Sequence, residues 1–535
     1  MQSLEADRVD ACVELTNLIR TTLIFIRDVT KGRADCNEST IVLDHTLSFL
    51  DTFVDLCFDE TGGILRDVRV HQRLTRDVEE ICFTLNKSLA SHREAWRYIG
   101  RTSTPSTEGT APEVGSRQRA ASLGPQHDRR KWRDEIKERS QLWRERAQPR
   151  VSDVLFGPDE MQTLVSSCLT SISCLRQTLE ITCLVLGPPT ADYWTSTQAA
   201  TLGIKTALER QYRAGATPSS SYKALPGRIR ESINDMQPPV SLIKTVYTDG
   251  TEEVDVLVEP RLDADTPIEF MCHLTWLLQA PAQPTVVSNL HNHHTYELSA
   301  LPCIGFIDDP ANTRTLILYR SPQSSPWASS PPSLHDLISK GDYAKLSLGR
   351  RFLAARTLAA TLLEAHSSGW IHGNVQSRSI VMLPHDLNDT ELSPSFVGWG
   401  VLQAAEATYY LLEPNLYRHH NRFGRASSEC TSGHDIYSLG VVLLEIGIWK
   451  TMAKLFERRL EKSPRFDFTQ QESLSSRIHN ATLDWARSIE IERAMGKKYA
   501  QVVLRCLTWH QKDSVEGLIE FRKQVVDALT AGSRI

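Results

Sequence analysis

The sequence predicts an α+β multidomain protein in which an all-α helical bundle precedes a two-lobed domain of strands and helices. Three observations lead to this prediction. Apolar residues recur at helical spacing through most of the first 213 residues. Alternating apolar patterns typical of strands begin only after residue 240. Beyond residue 348, long helical patterns dominate again.

The predicted boundaries follow shifts in composition. Residues 101–128 are rich in Ser, Thr, Pro and Gly and are expected to form a disordered loop, and residues 214–237 are expected to form a linker. The other predicted segments are 1–100 for the first helices of the bundle, 129–213 for its remaining helices, 238–322 for the smaller lobe and 323–535 for the larger lobe.

Composition and charge narrow the functional classes. The chain has 535 residues, of which 41% are hydrophobic, and this is enough for ordinary cores. The formal net charge of -5 argues against a dedicated nucleic-acid binder. The 11 cysteines form no Cys-x-x-Cys pair, so neither a zinc site nor a disulfide framework is expected. A charged N-terminus without a signal pattern, and the lack of a long apolar stretch, predict a cytoplasmic protein.

The predicted bundle consists of amphipathic helices, none of which is apolar all round. The first covers residues 4–26, a second begins at Ser39-Thr40, and Gly62-Gly63 separates the second from a third. Residues 159–186 and 191–213 continue the pattern. Core positions predicted from the apolar spacing include Ile19, Leu23, Leu43, Leu47, Leu50, Phe53, Ile172, Leu175 and Leu179.

Two features between the third and fourth helices suggest functions. Arg117–Ser122 has a pattern that basophilic kinases phosphorylate, with Ser122 as the acceptor, although chance matches to so short a motif are common. Residues 129–146 predict a basic helix that carries Trp132 and Trp143. This helix could bind a membrane surface or a partner, but a solvated helix that rests its Trp rings on the bundle is the simpler interpretation.

The strand patterns of the smaller lobe begin with a hairpin. Residues 241–250 predict a strand and an Asp-Gly turn, and Val254–Arg261 alternates apolar and polar residues as a strand does. Glu259 lies near the end of this strand. A helix, two further strands and a short helix follow in order, the strands at 301–307 and 315–319 and the short helix from 333.

The most informative stretch is Gly369–Leu383, which follows a predicted helix over 348–366. It contains His372-Gly-Asn374, then four residues, then Ser379. This outline resembles the catalytic loop of protein kinases, in which an Asp accepts the substrate hydroxyl proton and an Asn holds a metal ion. An amide cannot act as a general base near neutral pH, and a hydroxyl is a poorer Mg²⁺ ligand than a carboxamide oxygen. The frame of the loop is kept and its chemistry is not.

Two other positions differ from kinases in the same direction. In Ser395–Gly400, Gly398 stands where kinases carry the Mg²⁺-binding Asp, and Gly400 keeps the turn glycine. Glu259 stands where the phosphate-binding Lys of the third strand would be, and an acid there would repel phosphates.

A long apolar helix pattern over 433–447 gives the strongest match to a kinase. Asp435 lies at its start and Gly440 follows five residues later. The pattern resembles the central helix of the kinase C-lobe, where this Asp hydrogen-bonds to the backbone of the catalytic loop. That role supports the fold and takes no part in turnover.

Residues 238–530 therefore resemble the kinase-like domain of a fungal group of HeLo, or prion-inhibition-and-propagation, proteins. The residues that carry the resemblance are Leu298–Phe306, His366–Leu383, Val397-Gly398, Leu416–His419 and His434–Trp449. The resemblance implies a bilobal protein-kinase-like fold, kept by His372, Gly400, Asp435 and Gly440, in which kinase function is degenerate. Known members of the group are tied to self-recognition and regulated cell death.

The function that the resemblance implies is that of a catalytically inactive pseudokinase in signalling, with a helical effector or adaptor domain. Asn374, Ser379, Gly398 and Glu259 would be its degenerate positions, and no residue is assigned to catalysis. No cofactor or metal is expected, and ATP binding is expected to be weak or absent because the phosphate Lys and the glycine loop are missing. Protein partners are expected through both domains, oligomerisation is compatible with this role, and no nucleic acid is expected.

The bundle could also reach a membrane surface on activation, since the first helices of HeLo-type bundles are thought to embed in bilayers. For residues 15–26 of this chain, packing in the core of the bundle is the simpler interpretation.

An unusual active Ser/Thr protein kinase is the alternative function. It would need substitute acids, and the nearest candidates are Asp386, Asn388, Asp389 and Glu391. They lie beyond the matched strand, where their geometry is unfavourable for catalysis. His291–His294 could suggest a metal site, but no Cys or carboxylate stands at ligand spacing, so a solvated loop is favoured.

Overall fold

The computed structural model describes residues 16, 19–20, 23–24, 27, 37–57, 172, 175–181, 198, 201–202, 204–230, 242–261, 267–279, 300–310, 314–321, 330–341, 345–384, 392–400, 410–424, 429–510 and 514–532. They form a mixed structure of helices and an antiparallel sheet, which confirms the predicted use of both element types. The predicted third helix, the loop 101–128 with Ser122, the basic helix 129–146, His291–His294, Asp386, Asn388, Asp389 and Glu391 lie outside the described residues.

The chain divides into two compact units. The first comprises Met1–Thr182, Pro188–Lys205 and Pro284–Thr295, and the second comprises Cys183–Gly187, Thr206–Gln283 and Tyr296–Ile535.

Apart from Ile204, the described residues of the first unit are helical. Helix α1 (Asn37–Cys57) buries Leu43, Leu47, Leu50 and Phe53, which recur every three or four residues and so share one face. The other predicted core positions Ile19, Leu23, Ile172, Leu175 and Leu179 are also helical and buried. The apolar spacing therefore identified these buried positions, but it did not identify Phe49, Ile181 and Leu202, which are buried as well. Val54, which the spacing also predicts to face the core, is only half-buried.

The second unit contains a five-stranded antiparallel sheet of β1 (Arg228–Ile229), β2 (Ile243–Thr248), β3 (Glu253–Arg261), β4 (Cys303–Asp309) and β5 (Arg314–Arg320). The strand order in the sheet is β1-β2-β3-β5-β4. Strands β2 and β3 form the predicted hairpin, and the Asp249 carboxylate accepts the Thr251 and Glu252 N–H groups in the connecting turn. The core of the sheet includes Tyr247, Val256, Val258, Leu316 and Leu318.

The remaining helices are α2 (Lys205–Gly215), α3 (Ile268–Leu278), α4 (Leu334–Ser339), α5 (Leu348–Ser367), α6 (Leu412–Asn415), α7 (Ser432–Ile448), α8 (Met452–Leu455), α9 (Glu457–Lys462), α10 (Gln471–Ala486), α11 (Ile489–Leu507), α12 (Val515–Phe521) and α13 (Asp527–Gly532). Helix α3 lies between β3 and β4 in the chain, as predicted. Ser333 caps α4, because its hydroxyl accepts the Asp336 N–H and the Asp336 carboxylate accepts the Ser333 N–H.

The larger, mainly helical part of the second unit is built around α7. Helix α7 is buried on all its faces, and most of its residues are apolar, as expected of a helix without a polar face. A two-stranded antiparallel sheet of β6 (Ile380–Pro384) and β7 (Leu392–Phe396) follows α5. Helix α7 packs closely on α11, since a Cβ at Gly440 would lie 2.8 Å from the Cys506 Cβ.

The predicted helix over 191–213 is not continuous. Ile204 is not helical, and α2 begins at the next residue, Lys205. All of α2 after Lys205 belongs to the second unit. The periodicity of the sequence does not reveal this break, because both flanking segments are amphipathic.

The stretch that composition assigns to a linker is anchored where the structure describes it, over residues 214–230. The Tyr222 hydroxyl donates to Thr275 Oγ1 at 3.1 Å, and the Leu225 N–H donates to the Phe306 carbonyl at 2.7 Å. Strand β1 then pairs with β2. Tertiary hydrogen bonds fix this segment, and composition does not encode them.

Among the helices of the described part of the chain, none has both the length and the apolar character that crossing a membrane requires.

The same substitution at two helical glycines should have opposite effects on stability. Gly440→Ala places a methyl group against Cys506 and Leu507, so we expect the free energy of unfolding to fall by about 1–2 kcal/mol despite the gain in helix propensity. Gly349→Ala meets nothing within 4 Å and should raise it by up to about 1 kcal/mol. Chemical denaturation of both variants measures the difference, and a Gly440→Ala protein as stable as the wild type would contradict the close approach of α7 and α11.

Candidate functional site

The candidate site consists of the loop before β6 (residues 368–379) and the turn after β7 (residues 397–400). They lie side by side because β6 and β7 pair antiparallel, and the Val397 N–H extends this pairing by donating to the Ser379 carbonyl at 2.9 Å. The pairing places Ser379 beside Val397, the residue before Gly398, and Asn374 is bonded to Ser379 within the loop.

A buried carboxylate on α7 fixes the backbone of the loop. Asp435 is 2% exposed and accepts the His372 N–H at 2.7 Å and the Gly373 N–H at 2.9 Å. A third donor is His366 at the end of α5, whose Nε2 lies 3.2 Å from the carboxylate. Burial alone would raise the pKa of Asp435, but these donors stabilise the anion and the pKa is lowered.

The His372 ring is neutral and connects the loop to the turn. Its Nδ1 accepts the Asn374 N–H at 3.1 Å, which leaves Nε2–H to donate to the Val397 carbonyl at 3.2 Å. Burial lowers the pKa of His372 to about 4, although the Asp435 carboxylate acts to raise it. The ring therefore joins the loop to the turn by one hydrogen bond, and a second hydrogen bond holds it within the loop.

Asn374 and Ser379 use their polar groups within the loop. The Asn374 side-chain carbonyl accepts from Gln376 Nε2 at 2.8 Å. The Ser379 hydroxyl is fully buried, lies 2.7 Å from the Asn374 backbone carbonyl, and accepts the Gln376 N–H at 3.1 Å. These bonds close the loop on itself.

Glu259 of β3 is 0% exposed and holds the turn from the side of the sheet. Its Oε2 accepts the Tyr319 hydroxyl at 2.9 Å and the Gly398 N–H at 3.1 Å, and its Oε1 lies 2.6 Å from Arg261 Nε. The Arg261 guanidinium also donates to the Trp399 carbonyl at 2.6 Å. Burial raises the pKa of Tyr319 well above its ordinary value, so the phenol remains a donor.

Trp399 fills the space beneath the turn with its fully buried ring. The ring centroid lies 4.5 Å from that of His372 and 5.0 Å from that of Trp370. The indole N–H donates to the Phe396 carbonyl at 3.2 Å. Aromatic contacts and one hydrogen bond satisfy both the apolar and the polar parts of this side chain.

Helix α3 packs directly against the end of the turn. A Cβ at Gly400 would lie 2.9 Å from Phe270 Cζ, and the backbone there has a φ of +70°. Both facts favour glycine at this position. The position of α3 and the shape of the turn are therefore coupled.

A second buried acid lies farther along α7. Glu445 Oε1 accepts the Tyr417 hydroxyl at 2.7 Å and the Met452 N–H at 2.6 Å, and the Tyr417 hydroxyl lies 2.9 Å from that of Ser377. Burial raises the pKa of the Glu445 carboxyl to about 7 in spite of these hydrogen bonds. The network ties the loop to Tyr417, in the segment that the sequence resemblance had included.

Sequence reasoning assigned no role to Arg261, Tyr319, Tyr417 and Glu445. Two of them gave a signal. Arg261 stands two residues after Glu259 and so faces the same side of a strand. Glu445 interrupts an apolar helical run, where an acid must find buried partners.

The hydrogen bonds of the site hold the loop and the turn in one geometry. The loop 368–379 and the turn 397–400 contain no Asp or Glu, so neither segment offers a carboxylate as a general base. Polar groups at three of the singled-out positions also form hydrogen bonds within the protein. They are the Ser379 hydroxyl, the Asn374 amide and the Glu259 carboxylate.

Comparison with known proteins yields no family assignment. No model of a protein family matches the chain, and no curated protein matches it.

Removal of the Glu259 charge should destabilise the protein. Glu259→Gln leaves Arg261 without its buried anion, so we expect the free energy of unfolding to fall by about 3 kcal/mol. Glu253 on the same strand is 61% exposed beside Arg230 and provides the matched control. Glu253→Gln should change stability by less than about 0.5 kcal/mol in the same denaturation experiment. Equal effects of the two substitutions would contradict the role assigned to the buried acid.

The Glu445 carboxyl should make stability depend on pH. A carboxyl with a folded pKa near 7 and an ordinary value of 4.5 stabilises the folded state fully below pH 4.5 and loses that contribution as pH rises through 7. Glu445→Gln does not titrate, so its stability relative to wild type should rise by about 1–3 kcal/mol between pH 5 and pH 8.

Melting temperatures of both proteins over this pH range test the prediction. The difference between them removes the contributions of His372 and the other titrating groups. A difference independent of pH would show that Glu445 keeps one protonation state throughout.

Proposed function

We propose that residues 238–535 form a catalytically inactive, protein-kinase-like regulatory domain, and that the helices before it act as an effector or adaptor domain. The order of elements supports this proposal. A five-stranded antiparallel sheet with α3 between β3 and β4 is followed by a mainly helical part that carries the loop, the turn and α7.

The observation that carries the proposal is the use of Glu259. This acid stands where the resemblance calls for a phosphate-binding Lys, and it spends both oxygens on Arg261, Tyr319 and the N–H of Gly398. In an active kinase the two corresponding positions bind phosphate and Mg²⁺. Here they bind each other, so the turn is held without either ligand.

The other degenerate positions support the same conclusion. Asn374 and Ser379 bond within the loop, and Gly398 has no side chain to coordinate a metal ion. Asp435 continues to hold the backbone of the loop. Groups that maintain the geometry are kept, whereas groups that would carry out phosphoryl transfer are replaced.

A domain of this kind acts through binding and conformation. Protein partners are the expected ligands, and the resemblance to fungal HeLo proteins suggests a process such as self-recognition or regulated cell death. The effector helices would act on a partner or on a membrane surface. Leakage of anionic liposomes by the full chain, with and without an activating partner, distinguishes these two targets.

A phosphotransfer assay with Mg²⁺ and with Mn²⁺ tests the absence of catalysis. We expect no incorporation of phosphate into the chain itself or into generic protein substrates. Turnover that is lost on replacement of Asp386, Asp389 or Glu391 would overturn the proposal and establish an unusual active kinase.

Nucleotide binding gives an independent test. Glu259 is an acid at the phosphate position, so 1 mM ATP with Mg²⁺ should raise the melting temperature by less than about 1 °C. The same measurement with ATP alone controls for effects of the metal. A clear, saturable increase would contradict the expectation of weak or absent binding and leave the phosphotransfer result to decide the question of catalysis.

A further inference from the structure

Helix α2 joins two helices that are distant in the sequence. Arg210 of α2 donates from Nη2 to Glu364 Oε2 of α5 at 3.1 Å, across 154 residues of chain. Both side chains are only 7% exposed. An ion pair removed from water in this way holds its partners firmly, because a charge left alone there is costly.

Helices α2 and α3 also exchange hydrogen bonds, and each helix contributes a side-chain donor and a backbone acceptor. The Arg213 guanidinium donates to the Trp276 carbonyl at 2.6 Å and lies 5.4 Å from the centroid of the Trp276 ring. In return, His273 Nε2 lies 2.8 Å from the Arg213 carbonyl. Both carbonyls belong to the last turn of their helix, where the helix itself supplies no donor. Each helix therefore caps the other.

Helix α3 passes this constraint on to the turn. Phe270 and Leu274 line the space beside Gly400, with Phe270 Cζ 2.9 Å from the position of a Cβ there. The neighbouring Trp399 carbonyl is bound by Arg261 of the sheet. A shift of α3 would therefore require the turn 397–400 to move.

We propose that α2 is a coupling helix that sets the conformation of the turn 397–400 from the chain that precedes it. Lys205, its first residue, ends a segment of the first unit, and the rest of α2 belongs to the second unit. A displacement of α2 acts through the hydrogen bonds of Arg213 on α3, and α3 then acts on the turn through its contact at Gly400. The coupling concerns regulation of the proposed pseudokinase domain, and only its biological meaning rests on that proposal.

Hydrogen exchange of the full-length protein tests the coupling. Arg210→Met removes the ion pair with Glu364, and we expect amides in 268–278 and 392–400 to exchange about tenfold faster. Peptides from α7 report on global unfolding and should be unchanged. The charge-swapped protein Arg210→Glu with Glu364→Arg should recover much of the protection. Arg230→Met, which breaks the exposed pair with Glu253, is the matched control and should leave 392–400 unchanged.

Faster exchange confined to 205–215 and 348–367 would overturn the proposal, since the ion pair would then be a local contact. If Arg210→Met exposes α7 as well, Glu364→Gln is the milder variant, because its amide oxygen can still accept from Arg210. It should show the same pattern in α3 and the turn, to a smaller extent. Exchange is measured without nucleotide or substrate, so an active kinase could show the coupling and an inactive one could lack it.

Discussion

The geometry of the loop and the turn depends on the buried carboxylate of Asp435. An ionised group away from water must be satisfied by donors, so the N–H groups of His372 and Gly373 are held facing α7. The fixed backbone places the His372 ring, and that ring supports Trp399 at 4.5 Å. Trp399 packs beneath the turn 397–400. Glu259 of the sheet binds the same turn through the Gly398 N–H. One acid on the central helix thus orders a chain of contacts that ends at β3.

The contacts around the turn come from three elements, of which β3 and α3 are consecutive in the chain and the loop 368–379 lies far from both. Glu259 and Arg261 contribute from β3, His372 from the loop, and Phe270 from α3. Such a convergence makes the turn sensitive to the position of each element. A regulator that acts through conformation needs this property, whereas a catalyst needs side chains directed at a substrate. The observed use of the polar groups is the reason for proposing a regulatory function.

Local sequence patterns predicted much of the fold. The strand at Glu253–Arg261, the helices α5 and α7, and the short helix that begins near Ser333 follow from periodicity and from residue types that act within a few positions. Contacts between distant residues were not predictable in this way. Glu259 was interpreted as an acid that repels phosphate, and nothing local indicates that its partners include an N–H 139 residues away. Composition likewise described 214–237 as a linker because the tertiary hydrogen bonds of Tyr222 and Leu225 leave no mark in composition.

The two buried acids of α7 differ in protonation because their donors differ. Asp435 receives two backbone N–H groups, one on each oxygen, and lies beside His366, so its pKa falls despite burial. Glu445 receives both of its donors on Oε1, and Oε2 is buried with no hydrogen-bond partner among the described residues, so burial prevails and its pKa rises to about 7. The placement of donors, and not depth alone, therefore decides the charge. It follows that the anchor of the loop stays ionised near neutral pH, while the network through Tyr417 gains or loses a proton there.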